Sequence, residues 1–307
     1  MSGIVITPQS FSYESMGTSW EISVWDDGHL STFDLSALEK EIKKMSEVFD
    51  KTYSRFIKTS LVWKIAEKAG MYEVTEDFVN MLKLYTDLYV PSEKKLNPLI
   101  GFTISDLGYD ESYSLIEKET IRKTPDLLKT VEIIHASEDF KIKTSEPVLF
   151  DFGALGKGYF VDKIAKFLKE KGIKRFLVNG SGDIYYSGGE SSAKMPIAVG
   201  LEHPDDSSRV IGTVSIVQGS MCASGINRRK WAGHHHVIDP QANTSAGQNI
   251  LATWVIADTT ALADAVASCL FFVPPENLFD AGYTFEYVIL NKEYKVKKSE
   301  GWKGEFF

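Results

Sequence analysis

The stretch from Asp151 to Gly189 reads DFGALGKGYFVDKIAKFLKEKGIKRFLVNGSGDIYYSGG. Apolar residues recur within it at the three-and-four spacing of an amphipathic helix, at Phe160, Ile164, Phe167 and Leu168. Glycine clusters lie before this helix and between the apolar runs that follow it. From Val148 onward, the pattern therefore predicts strand, Gly turn, helix, strand, Gly turn and strand.

Further elements on both sides of this stretch predict the fold class. Helices are predicted at Leu35–Phe49, Thr75–Tyr89 and Thr260–Phe271 from their apolar stripes or alanine content. Strands rich in β-branched and aromatic residues are predicted at Trp20–Trp25, Val131–Ile134, Lys141–Lys143, Val210–Val217, Ile250–Ile256 and Tyr287–Leu290. Helices and strands interleave without a strict repeat, which favours an α+β fold with a mainly antiparallel sheet.

The composition is that of an ordinary globular protein, with 307 residues of which 43% are hydrophobic and 25% charged. No Pro/Gly/Ser-rich stretch or charge run marks a boundary, so residues 1–307 are predicted to form one domain with two lobes. The formal net charge of −8 argues against general binding of nucleic acid or anionic membranes. A phosphate-bearing ligand would need a metal ion or local positive charge.

The same sequence predicts a cytoplasmic protein without a membrane span. Its first residues lack a basic region followed by an apolar core, and no apolar run reaches membrane-spanning length. Cys222 and Cys269 are too few for a disulfide framework, so we expect buried thiols in a reducing compartment.

The glycines around Lys157 form the first candidate site. Gly153, Gly156 and Gly158 lead into the predicted helix, where backbone amides free of side chains can bind an anion. A lysine at this position supplies a point charge for phosphate. The spacing matches neither a P-loop nor the dinucleotide fingerprint, so an ordinary helix-entry turn remains the alternative.

Asp264 and Ser268 form the second candidate site. They lie four residues apart on the predicted alanine-rich helix, so a carboxylate and a hydroxyl share one face. Mg²⁺ suits such a sparse oxygen pair, because it completes its octahedron with water and substrate phosphates. An acid within the apolar run ALADAVASCLFF either caps a buried group or binds a cation.

Three consecutive histidines, His234 to His236, lead into the short motif HVIDP, which begins at His236. Consecutive residues on regular backbone cannot all face one ion, so a zinc site is not expected. One histidine acting as an acid or base is the more plausible function, because imidazole titrates near neutrality.

At these segments the chain resembles the ApbE-like FAD:protein FMN transferases. The family pattern is roughly D-x-G-x-x-x-K-G-x-x-x-D, N-x-G-G-D-I, T-S-G, H-I-I-D-P and A-D-A-x-x-T. Matching segments occur here in the same order at Asp151–Asp162, Asn179–Ile184, Ala223–Gly225, His236–Pro240 and Ala263–Ser268. Upstream similarity at Met16–Thr18, DKTYSRFIKTSLV from Asp50, LNPLIG and Leu107–Asp110 extends the resemblance over nearly the whole chain.

The resemblance implies an ApbE-like fold whose two lobes enclose a flavin-binding cleft, and it assigns roles to individual residues. Those implied to hold FAD are Met16, Phe56, Leu107, Gly108, Tyr109, Asp151 and Lys157, with the backbone of Val237 and Ile238 beside the nucleotide. Those implied to bind Mg²⁺ are Asp264, Ser268 and the carbonyl groups of Ala154 and Ala267.

Four positions depart from the family pattern. Ser268 replaces the usual threonine, Ala223 the threonine of T-S-G, Ser181 a glycine and Phe56 a frequent tyrosine. Serine retains the ligand oxygen, so metal binding is expected to survive. The other changes bear on nucleotide affinity.

The resemblance implies that FMN passes from FAD to a threonine hydroxyl of an acceptor protein that carries a flavinylation motif, and that AMP leaves. Asp264 then acts through the metal, and His236 is the predicted base. Two alternatives remain open: an FAD pyrophosphatase, in which water replaces the threonine, and a flavin-binding protein without turnover.

Overall fold

The computed structural model describes residues 7–26, 34–136, 139–189, 195–227, 229–246 and 249–307. Its helices are α1 (Leu35–Tyr53), α2 (Leu61–Ala66), α3 (Glu76–Tyr89), α4 (Gly101–Asp106), α5 (Leu127–Thr130), α6 (Gly156–Glu170), α7 (Thr260–Cys269) and α8 (Pro275–Asp280), and a 3₁₀ turn covers Pro98–Ile100.

The strands come in several short and a few long segments. They are β1 (Gln9–Ser15), β2 (Thr18–Val24), β3 (Gly70–Glu73), β4 (Val131–Ala136), β5 (Asp139–Thr144), β6 (Arg175–Gly180), β7 (Asp183–Gly188), β8 (Ile197–His203), β9 (Asp206–Ile216), β10 (Gln218–Gly225), β11 (Lys230–Trp231), β12 (His234–His235), β13 (Ile238–Asp239), β14 (Thr244–Ser245), β15 (Ile250–Ala257), β16 (Phe285–Asn291), β17 (Val296–Lys298) and β18 (Glu305–Phe306).

An eight-stranded sheet in the order β1-β2-β6-β7-β10-β15-β16-β17 organises the chain. Every neighbouring pair in it is antiparallel. Successive residues of a strand point to opposite faces of the sheet, and both faces are covered. Tyr185 and Val255 belong to the hydrophobic core on one face, and Tyr186 and Trp254 belong to the core on the other face. The structure thus confirms an α+β fold with a mainly antiparallel sheet.

The two cores define two lobes. The first lobe contains α1, α3, α6 and α7 with the small sheet β3-β5-β4, and the second contains the small sheet β18-β9-β8. A third, smaller cluster joins Leu107 and Tyr109 to Trp231 and Ile238. It therefore brings together the segments Leu107–Asp110 and His236–Pro240, both of which match the family pattern.

Helices α6 and α7 pack against each other and against the centre of the sheet. The stripe of α6 is fully buried at Phe160, Ile164 and Leu168. Asp162 on α6 accepts hydrogen bonds from the amides of Thr260 and Ala261, each at 2.9 Å, and so caps the first turn of α7. This contact positions the helix that carries Asp264.

One predicted strand is wrong. Residues Val148–Phe150 are buried, yet they form no strand. Their backbone pairs instead with the start of α4, through Gly101 N to Leu149 O at 3.1 Å and Asp151 N to Pro98 O at 2.7 Å. A short apolar run indicates burial but does not say which partner buries it.

Other predicted elements are found with shifted ends, and several strands were missed. Helix α1 continues to Tyr53, α7 ends at Cys269, and Thr75 caps α3 through its hydroxyl rather than starting it. Strands β1, β3, β8 and β10 had no predicted counterpart. In the described ranges no helix is both long and apolar enough to cross a membrane. The single-domain organisation stays a prediction.

Candidate active site

Two adjoining cavities lie where the lobes meet. Cavity A, of about 410 Å³, is lined by Lys157, His236, Asp264 and Ser268 among others. Cavity B, of about 540 Å³, is lined by Met16, Tyr113 and Trp231 among others. Eight residues line both cavities: Gly17, Arg55, Phe56, Tyr109, Asp151, Gly153, Lys157 and Arg229.

The amides of the Gly-rich turn already have acceptors within the protein. Gly153 N donates to Asp151 Oδ1 at 2.6 Å, Ala154 N to the Tyr85 hydroxyl at 3.3 Å, and Gly156 N to Phe152 O at 2.7 Å. Gly158 N donates to Asp264 Oδ2 at 3.1 Å. The glycine pattern predicts that these amides bind an anion, but in the structure they hold the turn and α7 in place instead.

Positive charge at this turn therefore comes from the side chain of Lys157. Its Nζ is in close contact with Asp183 Oδ2 and lies 3.8 Å from Asp264 Oδ2. Burial by itself lowers the pKa of Lys157, but the charges of Asp183 and Asp264 outweigh burial and raise that pKa. The ammonium group therefore stays protonated and faces cavity A.

Asp264 is a buried carboxylate beside a second one. Its relative exposure is 4%, and burial, followed by the charge of Asp183, raises its pKa. The neutral form of Asp264 is therefore favoured in the protein alone, although the positive charges of Lys157 and Arg229 oppose this effect. A cation bound at Asp264 would favour the ionised carboxylate.

The oxygen atoms around Asp264 suit Mg²⁺. Ser268 lies one turn after Asp264 on α7, and both residues line cavity A, as does Ala154. Across the described ranges, no three His, Cys, Asp or Glu side chains come together as metal ligands. A cation at Asp264 would thus take its remaining ligands from hydroxyl, carbonyl, water or phosphate oxygens, which is the preference of Mg²⁺.

His236 alone among the three histidines lines cavity A. Burial first, and then the positive charge of Arg229, lower its pKa to about 3. The ring is therefore neutral near pH 7, in contrast to the titration near neutrality that is typical of an exposed histidine. His234 instead contacts Glu117 at 3.2 Å, and the His235 amide donates to Ser245 Oγ at 2.8 Å.

A model of the ApbE family matches residues 16–282. The chain belongs to the ApbE family. An FAD:protein FMN transferase from Escherichia coli (strain K12) is 23% identical over 276 residues, covering 86% of this chain and 78% of that protein. One from Klebsiella pneumoniae (strain 342) is 23% identical over 282 residues, with the same coverage. Both relatives are transferases, and the resemblance seen in the sequence is confirmed.

Solved ApbE structures share the fold. The ApbE protein of Thermotoga maritima has a TM-score of 0.80 at 19% identity, covering 95% of this chain and 97% of that one. The flavin transferase ApbE of Vibrio cholerae has a TM-score of 0.77 at 18% identity, covering 97% and 99%. The predicted ApbE-like architecture is thus confirmed.

The structure brings most of the family positions together at the two cavities. Cavity A is lined by Phe56, Tyr109, Asp151, Ala154, Lys157, His236, Val237, Ile238, Asp264 and Ser268, and Met16 lines cavity B. Leu107, Gly108 and Ala267 line neither. The Leu107 carbonyl accepts from Trp231 Nε1 at 2.7 Å, and the Ala267 carbonyl accepts from the Thr253 hydroxyl at 2.8 Å. A carbonyl oxygen has two lone pairs, so Ala267 retains one acceptor site.

Gly108 supports the site without lining it. Its φ of +103° is a conformation that favours glycine. A Cβ atom there would lie 2.7 Å from Ile116 N and 2.9 Å from Leu115 C. The glycine thus lets the segment after Asp110 pack against the backbone that precedes Tyr109.

Sequence reasoning missed Arg55. Its relative exposure is 4%, and its Nε donates to Asp151 Oδ2 at 2.5 Å while its Nη1 donates to the Tyr109 carbonyl at 2.6 Å. The guanidinium also lies 4.2 Å from the centre of the Phe56 ring. Arg55 therefore joins three family positions, and its place between Tyr53 and Phe56 was the only available sequence signal.

Tyr113 was also missed. Its ring stacks on Phe56 with centroids 5.1 Å apart and planes 7° apart. Tyr109 stacks in turn on Trp231 at 5.2 Å. Cavity B thus has flat aromatic walls, which suit a planar ring system.

Proposed function

We propose that this chain is an Mg²⁺-dependent FAD:protein FMN transferase, which moves the FMN half of FAD onto a threonine hydroxyl of an acceptor protein and releases AMP. One observation carries the proposal: protonated Lys157, the buried carboxylate of Asp264 and the hydroxyl of Ser268 converge on one cavity. The relatives from Escherichia coli and Klebsiella pneumoniae are FAD:protein FMN transferases, which supports the transfer of FMN from FAD to a protein.

The two cavities can divide the substrate between them. The aromatic walls of cavity B and the charged groups of cavity A suit the planar and pyrophosphate parts of FAD, respectively. Lys157 lines both cavities and would contact the phosphates as a point charge. The rest of FAD would be held by Met16, Phe56, Tyr109 and Asp151 together with the backbone of Val237 and Ile238. Leu107 and Gly108, which line neither cavity, would support the position of Tyr109.

Asp264, Ser268 and the carbonyl groups of Ala154 and Ala267 would hold the metal ion. When bound, Mg²⁺ supplies charge stabilisation to the phosphate oxygens and orients the leaving group. Lys157 adds a second positive charge at the same phosphates. Asp264 is held by the Gly158 amide, so the carboxylate is oriented before any ligand arrives.

The threonine oxygen would attack the FMN phosphorus and form the new P–O bond, while the pyrophosphate P–O bond breaks and AMP leaves with the bridging oxygen. The neutral ring of His236 would accept the proton of the threonine hydroxyl. Burial first, and then the positive charge of Arg229, disfavour protonated His236, and the negative charge of bound FAD would oppose the effect of Arg229.

The decisive experiment incubates the protein with FAD, Mg²⁺ and a threonine-containing acceptor protein, and measures intact acceptor mass and AMP together. An FMN adduct that forms with equal AMP supports transfer. AMP with free FMN would instead support the pyrophosphatase, and tight FAD binding without AMP the non-catalytic flavin-binding protein. Chelation of Mg²⁺ and Asp264→Asn are the matched controls, and both should abolish AMP release.

A further inference from the structure

Asp183 is a buried carboxylate to which the proposed reaction assigns no step. It begins β7, and its relative exposure is 1%. One of its oxygens, Oδ2, contacts Lys157 Nζ. The other, Oδ1, is buried and has no hydrogen-bond partner within the described residues. Burying a charged oxygen without a partner is unfavourable, so this carboxylate calls for an explanation.

Lys157 has two carboxylates within reach. The ammonium group contacts Asp183, and Asp264 Oδ2 lies only 3.8 Å away. A lysine side chain has a flexible four-carbon stem, so a small rotation would carry the ammonium fully onto Asp264. In that position the ammonium would neutralise the carboxylate that the proposed function gives to the metal ion.

Backbone pairing in a hairpin fixes the position of Asp183, whereas the four-carbon side chain of Lys157 can rotate. Asp183 pairs with Gly180 across a two-residue hairpin turn formed by Ser181 and Gly182, both at positive φ. The Asn179 side chain accepts from Gly182 N at 2.9 Å and closes this turn. Asp183 is therefore the fixed partner, and the lysine follows it.

We propose that Asp183 is a positioning residue, which holds the Lys157 ammonium away from Asp264 and thereby leaves that carboxylate available to a divalent cation. This inference rests on the proposed function, because it assumes that Asp264 binds the cation. In this role Asp183 affects cation binding only through Lys157. It does not attract the cation directly by its own negative charge.

The two roles separate in a double-mutant cycle. Asp183→Asn preserves side-chain shape while removing the charge, and Lys157→Met removes the ammonium while retaining most of the stem. If Asp183 acts by holding the lysine, its substitution matters only where the lysine is present. If Asp183 acts only through the attraction of its negative charge for the cation, Asp183→Asn has the same effect with Lys157 present as with Lys157→Met.

The measured quantity is the affinity for Mn²⁺ without FAD, from the electron paramagnetic resonance signal of free Mn²⁺ at fixed pH. Mn²⁺ is the probe because it accepts the same oxygen ligands as Mg²⁺. Asp106→Asn is the matched control, because Asp106 is also 1% exposed and paired with a lysine, Lys118, but lines neither cavity. Circular dichroism checks that each variant is folded.

We expect Asp183→Asn to weaken Mn²⁺ binding by about tenfold, within the coupling range of contacting residues. Lys157→Met should not weaken it, and adding Asp183→Asn to Lys157→Met should change it by less than about threefold. Asp106→Asn should leave it unchanged. An equal loss in both backgrounds, no loss in Asp183→Asn, or no Mn²⁺ binding by the unaltered protein would overturn the inference.

Turnover distinguishes this inference from the proposed function. If the Mn²⁺ cycle behaves as expected while no acceptor receives FMN, the proposed function is wrong and the positioning role of Asp183 stands. If FMN is transferred while the cycle shows no coupling, Asp183 is not a positioning residue and the proposed function stands.

Discussion

The substitution Gly158→Ala should separate α6 from α7 and thereby displace the site residue Asp264, which lies on α7. A Cβ atom at Gly158 would lie 2.3 Å from the Thr260 carbonyl oxygen and 2.8 Å from Asp264 Cβ. The nearest obstacle is backbone, so no side-chain rotation relieves it. Restoring an ordinary contact of about 3.5 Å requires the helices to part by about 1 Å.

Gly156→Ala is the control that allows the cost to be worked out. Gly156 lies in the same helix, but a Cβ atom there would meet only Phe152 Cβ at 3.4 Å, an ordinary contact. Both substitutions gain helix propensity of up to about 1 kcal/mol, so this gain nearly cancels between them. The remaining difference is overpacking, which lowers the free energy of unfolding of Gly158→Ala by about 1–3 kcal/mol relative to Gly156→Ala.

Urea unfolding followed by circular dichroism measures this difference. AMP release from FAD measures the effect on the site, since the shift also lengthens the hydrogen bond from Gly158 N to Asp264. A displacement of about 1 Å is expected to slow release by about 10²-fold. Equal stability of the two variants, or undiminished AMP release by Gly158→Ala, would refute the reasoning.

Three other changes test separate parts of the molecule. Asp264→Ala should abolish AMP release but keep the circular dichroism spectrum, and retained activity with unchanged Mg²⁺ dependence would remove Asp264 from the metal site. Because burial and Arg229 lower the pKa of His236 to about 3, its ring should add no limb near pH 6.5 to the pH profile of kcat/KM for FAD. Any fall between pH 7 and 5, as the raised pKa of Asp264 would cause through the metal site, should therefore persist in His236→Ala, and a limb near pH 6.5 that disappears in this variant would contradict the reasoning. Burial alone raises the pKa of Asp106, but hydrogen bonds from Arg122 and Lys118 outweigh it and lower that pKa to about 2. Asp106→Asn should therefore lower the free energy of unfolding by about 1–2 kcal/mol above pH 4, allowing for screening at the exposed partners. This loss of stability should shrink as pH falls through about 2. A loss of stability in urea unfolding that does not depend on pH would count against this prediction.

Local patterns in the sequence were enough to predict the central segment of the fold. The stripe from Phe160 to Leu168 and the glycines around Ser181 correspond to α6 and to the β6–β7 turn. Ser181 adopts a φ of +58°, which explains why glycine suits this position in the family. These features are determined by residues that are close together in the chain, so they can be predicted from the sequence.

Contacts between distant residues escaped prediction. The partners of Val148–Phe150 come from the start of α4, about fifty residues earlier, and no periodicity encodes that choice. Arg55 reaches Asp151 across a similar gap in the chain. The amides of Gly153 and Gly158 have acceptors that sequence spacing does not show.

Two motifs that resemble ligand-binding patterns also specify how α6 meets α7. Gly158 permits close approach, Asp162 caps the first turn of α7, and Asp264 accepts the Gly158 amide. Lys157 and Ser268 take no part in these three contacts and face cavity A. Substitutions at Gly158 and Asp162 should therefore reduce stability and activity together, because they act through the helix contact. Substitution of Ser268 should instead affect ligand binding with little loss of stability, and comparing it with the changes at Gly158 and Asp162 would separate the helix contact from the chemistry that it supports.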